Sequence, residues 1–132
     1  MSGSALRFAG YAAVFDRVDA GGDVVRPGAF SNSLAQGSTL PLLWEHKGAP
    51  IGRVEMARED RRGLRVIAEV RDERAARLVS AGTMRGLSFG YRVRAGRSGL
   101  HPRELTDLDL VEVSLVRFPM QRLARVHAVA PG

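Results

Sequence analysis

Apolar positions along this chain recur mostly at a spacing of two, and Gly, Pro, Asp or Asn interrupts them at short intervals. That pattern favours many short strands over a few long helices. Leu6 to Asp16 is apolar and aromatic on both faces, as a buried strand is. Asp19-Ala20-Gly21-Gly22-Asp23 is rich in turn formers, and Arg26-Pro27-Gly28-Ala29-Phe30 leads into a short helix ending near Gln36-Gly37. Leu40 to His46 reads as a strand with Leu40, Leu42, Trp44 and His46 on one face. Gly48-Ala49-Pro50 is expected to turn the chain into a strand from Ile51 to Met56, with Gly63 to Val70 as its hairpin partner. Asp72 to Ala81 has the strongest helical signature, with acidic residues at its start and Gly82 at its end. The period then returns to two, with Leu87, Phe89, Tyr91 and Val93 on one face and Gly86, Ser88, Gly90 and Arg92 on the other. Residues 95 to 106 read as a loop. Leu108 to Arg117 is a strand apolar on both faces except at Glu112 and Ser114, and Leu123 to Val129 alternates once more before the end. The expected fold is mostly β (α+β), a small antiparallel β-barrel of about six or seven strands flanked by two helices.

The length of 132 residues fits a single domain, expected over 1–132 with a core from about residue 6 to 129, and 45% hydrophobic content supplies that core. With no cysteine, disulfides, thiolate metal sites and cysteine nucleophiles are excluded. No apolar run approaches the roughly 20 residues of a membrane span, and Met1-Ser2-Gly3-Ser4 does not resemble the start of a signal peptide. A soluble cytosolic protein is therefore expected. The net charge of +6 raises the question of nucleic acid. Every basic residue except Lys47 is arginine, however, and the arginines are scattered among acidic residues, which argues against a binding surface. The few aromatics lie mostly on core-like faces, so a stacking platform for single strands is also disfavoured.

Three residues break the local pattern and are of types used in acyl transfer. Ser88 lies between Gly86 and Gly90, where neighbours without side chains would let a substrate backbone approach its hydroxyl. Gly86-Leu87-Ser88-Phe89-Gly90 matches the string of a nucleophile elbow, but Phe89 to Val93 alternates as a strand where that motif needs a helix. His46, at the end of an apolar strand face, is the best base available; His101 and His127 are alternatives as an orienting partner. The three histidines lack the spacing of a metal site, and no cofactor is implied. Glu112 sits in Leu110-Val111-Glu112-Val113-Ser114-Leu115-Val116, where a desolvated carboxylate needs a partner. An arginine could serve structurally. Alternatively Glu112 accepts the Nδ1 proton of His46, whose Nε2 takes the proton of Ser88.

These residues belong to an ordered set: Gly10-Tyr11-Ala12-Ala13-Val14-Phe15-Asp16 with Pro27-Gly28-Ala29-Phe30, Leu43-Trp44-Glu45-His46 with Ile51-Gly52-Arg53, Gly86-Leu87-Ser88-Phe89-Gly90-Tyr91, and Glu112-Val113-Ser114-Leu115-Val116 with Pro119. The set, spanning about residues 8 to 120, resembles the prohead maturation proteases of tailed phages and phage-derived gene transfer agents. That resemblance implies an assemblin-like serine peptidase fold that is active as a homodimer. It also implies a major capsid protein with a scaffolding segment as substrate, and a location in the bacterial cytoplasm inside the immature capsid. It makes Ser88 the nucleophile, His46 the base and Glu112 the third member, a position that herpesvirus relatives fill with a second histidine. Pro119-Met120-Gln121 departs from the family pattern of proline, small residue and asparagine. Backbone amides near Arg117 are the expected oxyanion donors. Two other expectations compete with this one: a non-catalytic capsid or scaffold component that retains the barrel, and a small basic nucleic-acid-binding barrel.

Overall fold

The period-two pattern is realised as one mixed sheet in the computed structural model, which describes residues 5–37, 39–97 and 102–132. The elements run β1 (Leu6–Val14), β2 (Asp23–Val25), α1 (Ser31–Ala35), β3 (Leu40–Trp44), β4 (Lys47–Glu59), β5 (Gly63–Val70), α2 (Glu73–Ser80), β6 (Gly86–Arg97), β7 (Arg103–Val116) and β8 (Val126–Pro131). The sheet order is β2-β7-β3-β4-β5-β1-β8, with β6 lying on β7 as well. One edge of β7 is covered along its length by β6. Its other edge is shared between β2, parallel at Arg103 to Leu105, and β3, parallel at Val113 to Leu115.

The strands do not close into the expected barrel. Among the described residues β6 meets the segment before β8 at an isolated bridge, Gly86↔Arg125, with hydrogen bonds from Leu87 N to Ala124 O and from Val126 N to Arg85 O. Beyond Leu87 that edge of β6 has no ladder partner among the described residues. The core lies under the sheet, with Phe8, Leu42, Leu64, Val66, Leu87, Val113 and Leu115 essentially inaccessible to solvent. α2 adds Ala75, Ala76 and Val79 to it. The Asp72 side chain caps this helix by accepting from Ala75 N at 3.0 Å, and Gly82 follows it in the left-handed region.

Two local expectations fail for identifiable reasons. Where it is described, the expected loop over residues 95 to 106 is mostly ribbon, with Ala95↔Asp107, Gly96↔Leu105 and Arg97↔Glu104 paired. Opposite charges face each other across it, Arg94 to Asp109 at 3.3 Å and Arg97 to Glu104 at 3.8 Å, and this cross-strand pairing overrides the Gly and Pro punctuation. His101 lies outside the described residues. The turn after β3 comes earlier than Gly48-Ala49-Pro50: Trp44 pairs with Lys47, leaving Glu45-His46 as a two-residue hairpin turn. The glycine and proline instead mark a bulge, because Gly48 to Ile51 lie opposite Leu43 alone.

Candidate active site

A two-residue turn of this kind needs left-handed backbone at both positions, which is why Asn-Gly usually fills it. Here Glu45 has φ 52° and His46 φ 66°. Each such residue costs roughly 1 kcal/mol or more, so surrounding contacts must hold the turn. Three contacts to β7 and its continuation do so. Glu45 N donates to Leu115 O at 2.9 Å, His46 N donates to the Ser114 Oγ at 3.0 Å, and the Glu45 carboxylate accepts from Arg117 N at 3.3 Å. The turn thereby carries the His46 ring back over the outer face of the β6–β7 pair.

That face is set by strand alternation. Ser88 stands opposite Ser114 and Gly90 opposite Glu112, so all four share one side of the ribbon, while Leu87, Val113 and Leu115 point into the core. Glu112 is 7% exposed and Ser114 0%, and they are the buried polar side chains among the described residues. The Glu112 carboxylate is fully partnered. Its Oε2 lies 2.7 Å from His46 Nδ1 and its Oε1 accepts from the Ser114 hydroxyl at 2.7 Å. No arginine pairs with it among the described residues. An ionised carboxylate only accepts, so the contact places the ring proton on Nδ1 and leaves Nε2 free to take another. The His46 side chain is 42% exposed, so a substrate can reach that nitrogen.

Ser88 and His46 both line a cavity of about 250 Å³ whose walls are mostly apolar, contributed by Ala12, Ala13, Val25, Leu87, Phe89 and Leu105. The Ser88 hydroxyl makes no hydrogen bond to His46. In unliganded sites such contacts are often long and tighten with substrate. Two carboxylates at the rim are committed elsewhere. Asp23 receives the Arg103 guanidinium at 2.9 and 2.7 Å, which holds its carboxyl below the usual carboxylate range, and Asp19 Oδ1 accepts from the amides of Gly21 and Asp23. Burial and then Asp23 raise the phenol of Tyr91.

The glycines flanking Ser88 leave room for groups of β7 and its continuation. A side chain at Gly90 would strike the Glu112 carboxylate, and one at Gly86 would strike Val116 O and the Pro119 ring. His127 stands edge-on to Tyr11 at 5.5 Å, and the Arg117 amide is occupied by Glu45. Among the described residues no group of three or more His, Asp or Glu side chains could hold a metal ion. Ser114 is the site residue that the sequence reading left unused; its signal was a hydroxyl in an otherwise apolar strand, two residues from Glu112.

The structure resembles that of varicella-zoster virus protease, with a TM-score of 0.65 at 17% identity over 93% of this chain and 63% of that one. It also resembles KSHV protease in complex with a hexapeptide phosphonate inhibitor, with a TM-score of 0.66 at 14% identity over 97% of this chain and 66% of that one. At these identities the likeness establishes the fold, which is assemblin-like and mostly β. The prohead protease of Enterobacteria phage HK97 is 34% identical over 133 residues, covering 92% of this chain, which spans 59% of that protein's length. The family model of caudovirus prohead serine proteases matches residues 2–131, and the chain belongs to that family.

Proposed function

We propose that this chain is a serine endopeptidase that cleaves the scaffolding segment of the major capsid protein during prohead maturation. Ser88 is the nucleophile, His46 the general base and Glu112 the residue that orients it. The observation carrying this reading is the 2.7 Å contact between His46 Nδ1 and the buried Glu112, set over the strand pair that bears Ser88. In this mechanism Ser88 Oγ attacks the scissile carbonyl and passes its proton to His46 Nε2, while Glu112 stabilises the imidazolium. Collapse of the intermediate breaks the peptide C–N bond, and the leaving amine takes that proton. Water then repeats the sequence on the acyl-enzyme. Among the described residues the edge of β6 beyond Leu87 has no ladder partner, which suits an extended peptide adding a strand there. Active copies pair as homodimers, and the work is done inside the immature capsid in the bacterial cytoplasm. No cofactor takes part.

Coexpression with the major capsid protein of the same phage or particle tests this, read by intact mass of the capsid subunit. A subunit shortened at its N-terminus, and left whole when Ser88→Ala replaces the wild type, is the expected result. An uncleaved subunit in both cases identifies a non-catalytic capsid component that retains the protease fold.

A further inference from the structure

A serine hydroxyl has one proton to donate and lone pairs to accept with, and Ser114 uses both sides on the groups that make up the His46–Glu112 contact. It donates to Glu112 Oε1 at 2.7 Å and accepts from the backbone N–H of His46 at 3.0 Å. The side chain is fully inaccessible to solvent, and it is absent from the cavity that holds Ser88 and His46. It therefore meets substrate nowhere. Its two bonds nevertheless fix the carboxylate's orientation from one oxygen and the position of the base from the backbone. The second bond matters because His46 occupies a left-handed conformation that a histidine does not hold unaided. Across the ribbon Ser114 is also the register partner of Ser88, so one position on β7 faces the nucleophile and ties together the other two groups.

We propose that Ser114 is the positioning residue of this site, acting through His46 and Glu112 and resting on the catalytic reading given above. Outer partners that orient functional groups contribute about 10- to 100-fold where they have been measured at metal ligands. A fluorophosphonate probe reads the effect without a known substrate. It phosphonylates the nucleophile with loss of fluoride as the hydroxyl proton passes to the base, and its saturation constant separates binding from chemistry.

For Ser114→Ala the phosphonylation rate at saturation should fall about 10- to 100-fold, with the saturation constant unchanged. The downfield proton resonance of the His46 Nδ1–H bonded to Glu112 should be lost. Ser114→Thr, which keeps the hydroxyl, should retain both rate and resonance. Should Ser114→Ala not fold, Ser114→Cys keeps the volume with a weak donor and should give an intermediate rate. A wild-type rate with the resonance in place in Ser114→Ala, or in Ser114→Cys where the alanine does not fold, overturns the proposal. So does a slow Ser114→Ala that keeps the resonance, or a Ser114→Thr that is as slow as the alanine. Ser88→Ala is the control for the catalytic reading. If that variant still labels at the wild-type rate, Ser88 is not the nucleophile, and the His46 resonance alone then decides whether Ser114 positions the base.

Discussion

Gly90 and Glu112 stand opposite each other across the β6–β7 ribbon, and the carboxylate of Glu112 occupies the space that a side chain at Gly90 would need. The glycine is thus a condition for the carboxylate reaching His46. Gly90→Ala should push Glu112 Oε2 away from Nδ1, and displacements on the order of 1 Å at such sites cost about 100-fold in turnover. Capsid-protein cleavage measured beside a thermal melt checks this. Cleavage at the wild-type rate would mean that the ribbon shifts without disturbing the carboxylate.

Ser88→Ala should remove cleavage while leaving the fold nearly unchanged, because Ser88 lines an open cavity and makes no side-chain hydrogen bond among the described residues. Loss of such a nucleophile costs on the order of a millionfold. Rate and melting temperature measured on one preparation separate the two effects, and near-normal cleavage removes Ser88 from the mechanism.

Much of this site was legible before the structure because its residues violate their surroundings. A carboxylate in Leu110 to Val116 could not remain unpartnered, and Ser88 and His46 stood out on otherwise regular strand faces. What could not be read was anything set by pairing between distant segments. The left-handed Glu45-His46 turn contradicts local preference and exists because β7 holds it, while the role of Gly90 depends on which residue lies across the ribbon. The failure of the barrel to close has the same origin. Local periodicity marks most of the strands, though eight form where six or seven were expected. Closure depends on whether β6 and β8 form a ladder, and among the described residues β6 instead meets Arg125, just before β8, at an isolated bridge.

Glu112→Gln should leave the fold intact and reduce turnover by about four orders of magnitude, the size of the effect when the equivalent aspartate of a serine protease becomes an amide. The amide oxygen can still accept from Nδ1, but its NH₂ group can donate to that nitrogen instead and favour the wrong tautomer. Single-turnover cleavage combined with the His46 ring resonances tests this directly. A variant that retains most of its activity shows that Glu112 has a structural role only.

Acid should act on the cavity wall through Asp23. The Arg103 guanidinium lowers its carboxyl below the ordinary value of 3.8, so the charged form is favoured in the folded state. The sign follows from linkage: this contribution is fully present above about pH 4 and is lost as the pH falls through the lowered folded value. Urea midpoints of wild type and Asp23→Asn should therefore differ by a constant amount near neutrality and converge below pH 4. Curves that stay parallel to pH 2 would show that Arg103 gives Asp23 no stabilising role.

For the proposed homodimer, the outer side of α2 offers a polar surface, with Glu73, Arg74 and Arg77 exposed. Large apolar side chains are exposed after β7, where Phe118 is 91% exposed and Met120 and Leu123 are also accessible. Met120 lines the Ser88 cavity as well, so a second copy covering this surface would touch the site. Activity per chain should then fall on dilution and recover with concentration, and Phe118→Ser should move the transition to higher concentration. Sedimentation and cleavage followed over the same dilution series decide it. A fully active monomer at the lowest concentration separates catalysis from association, and an unchanged transition in Phe118→Ser places the contact elsewhere.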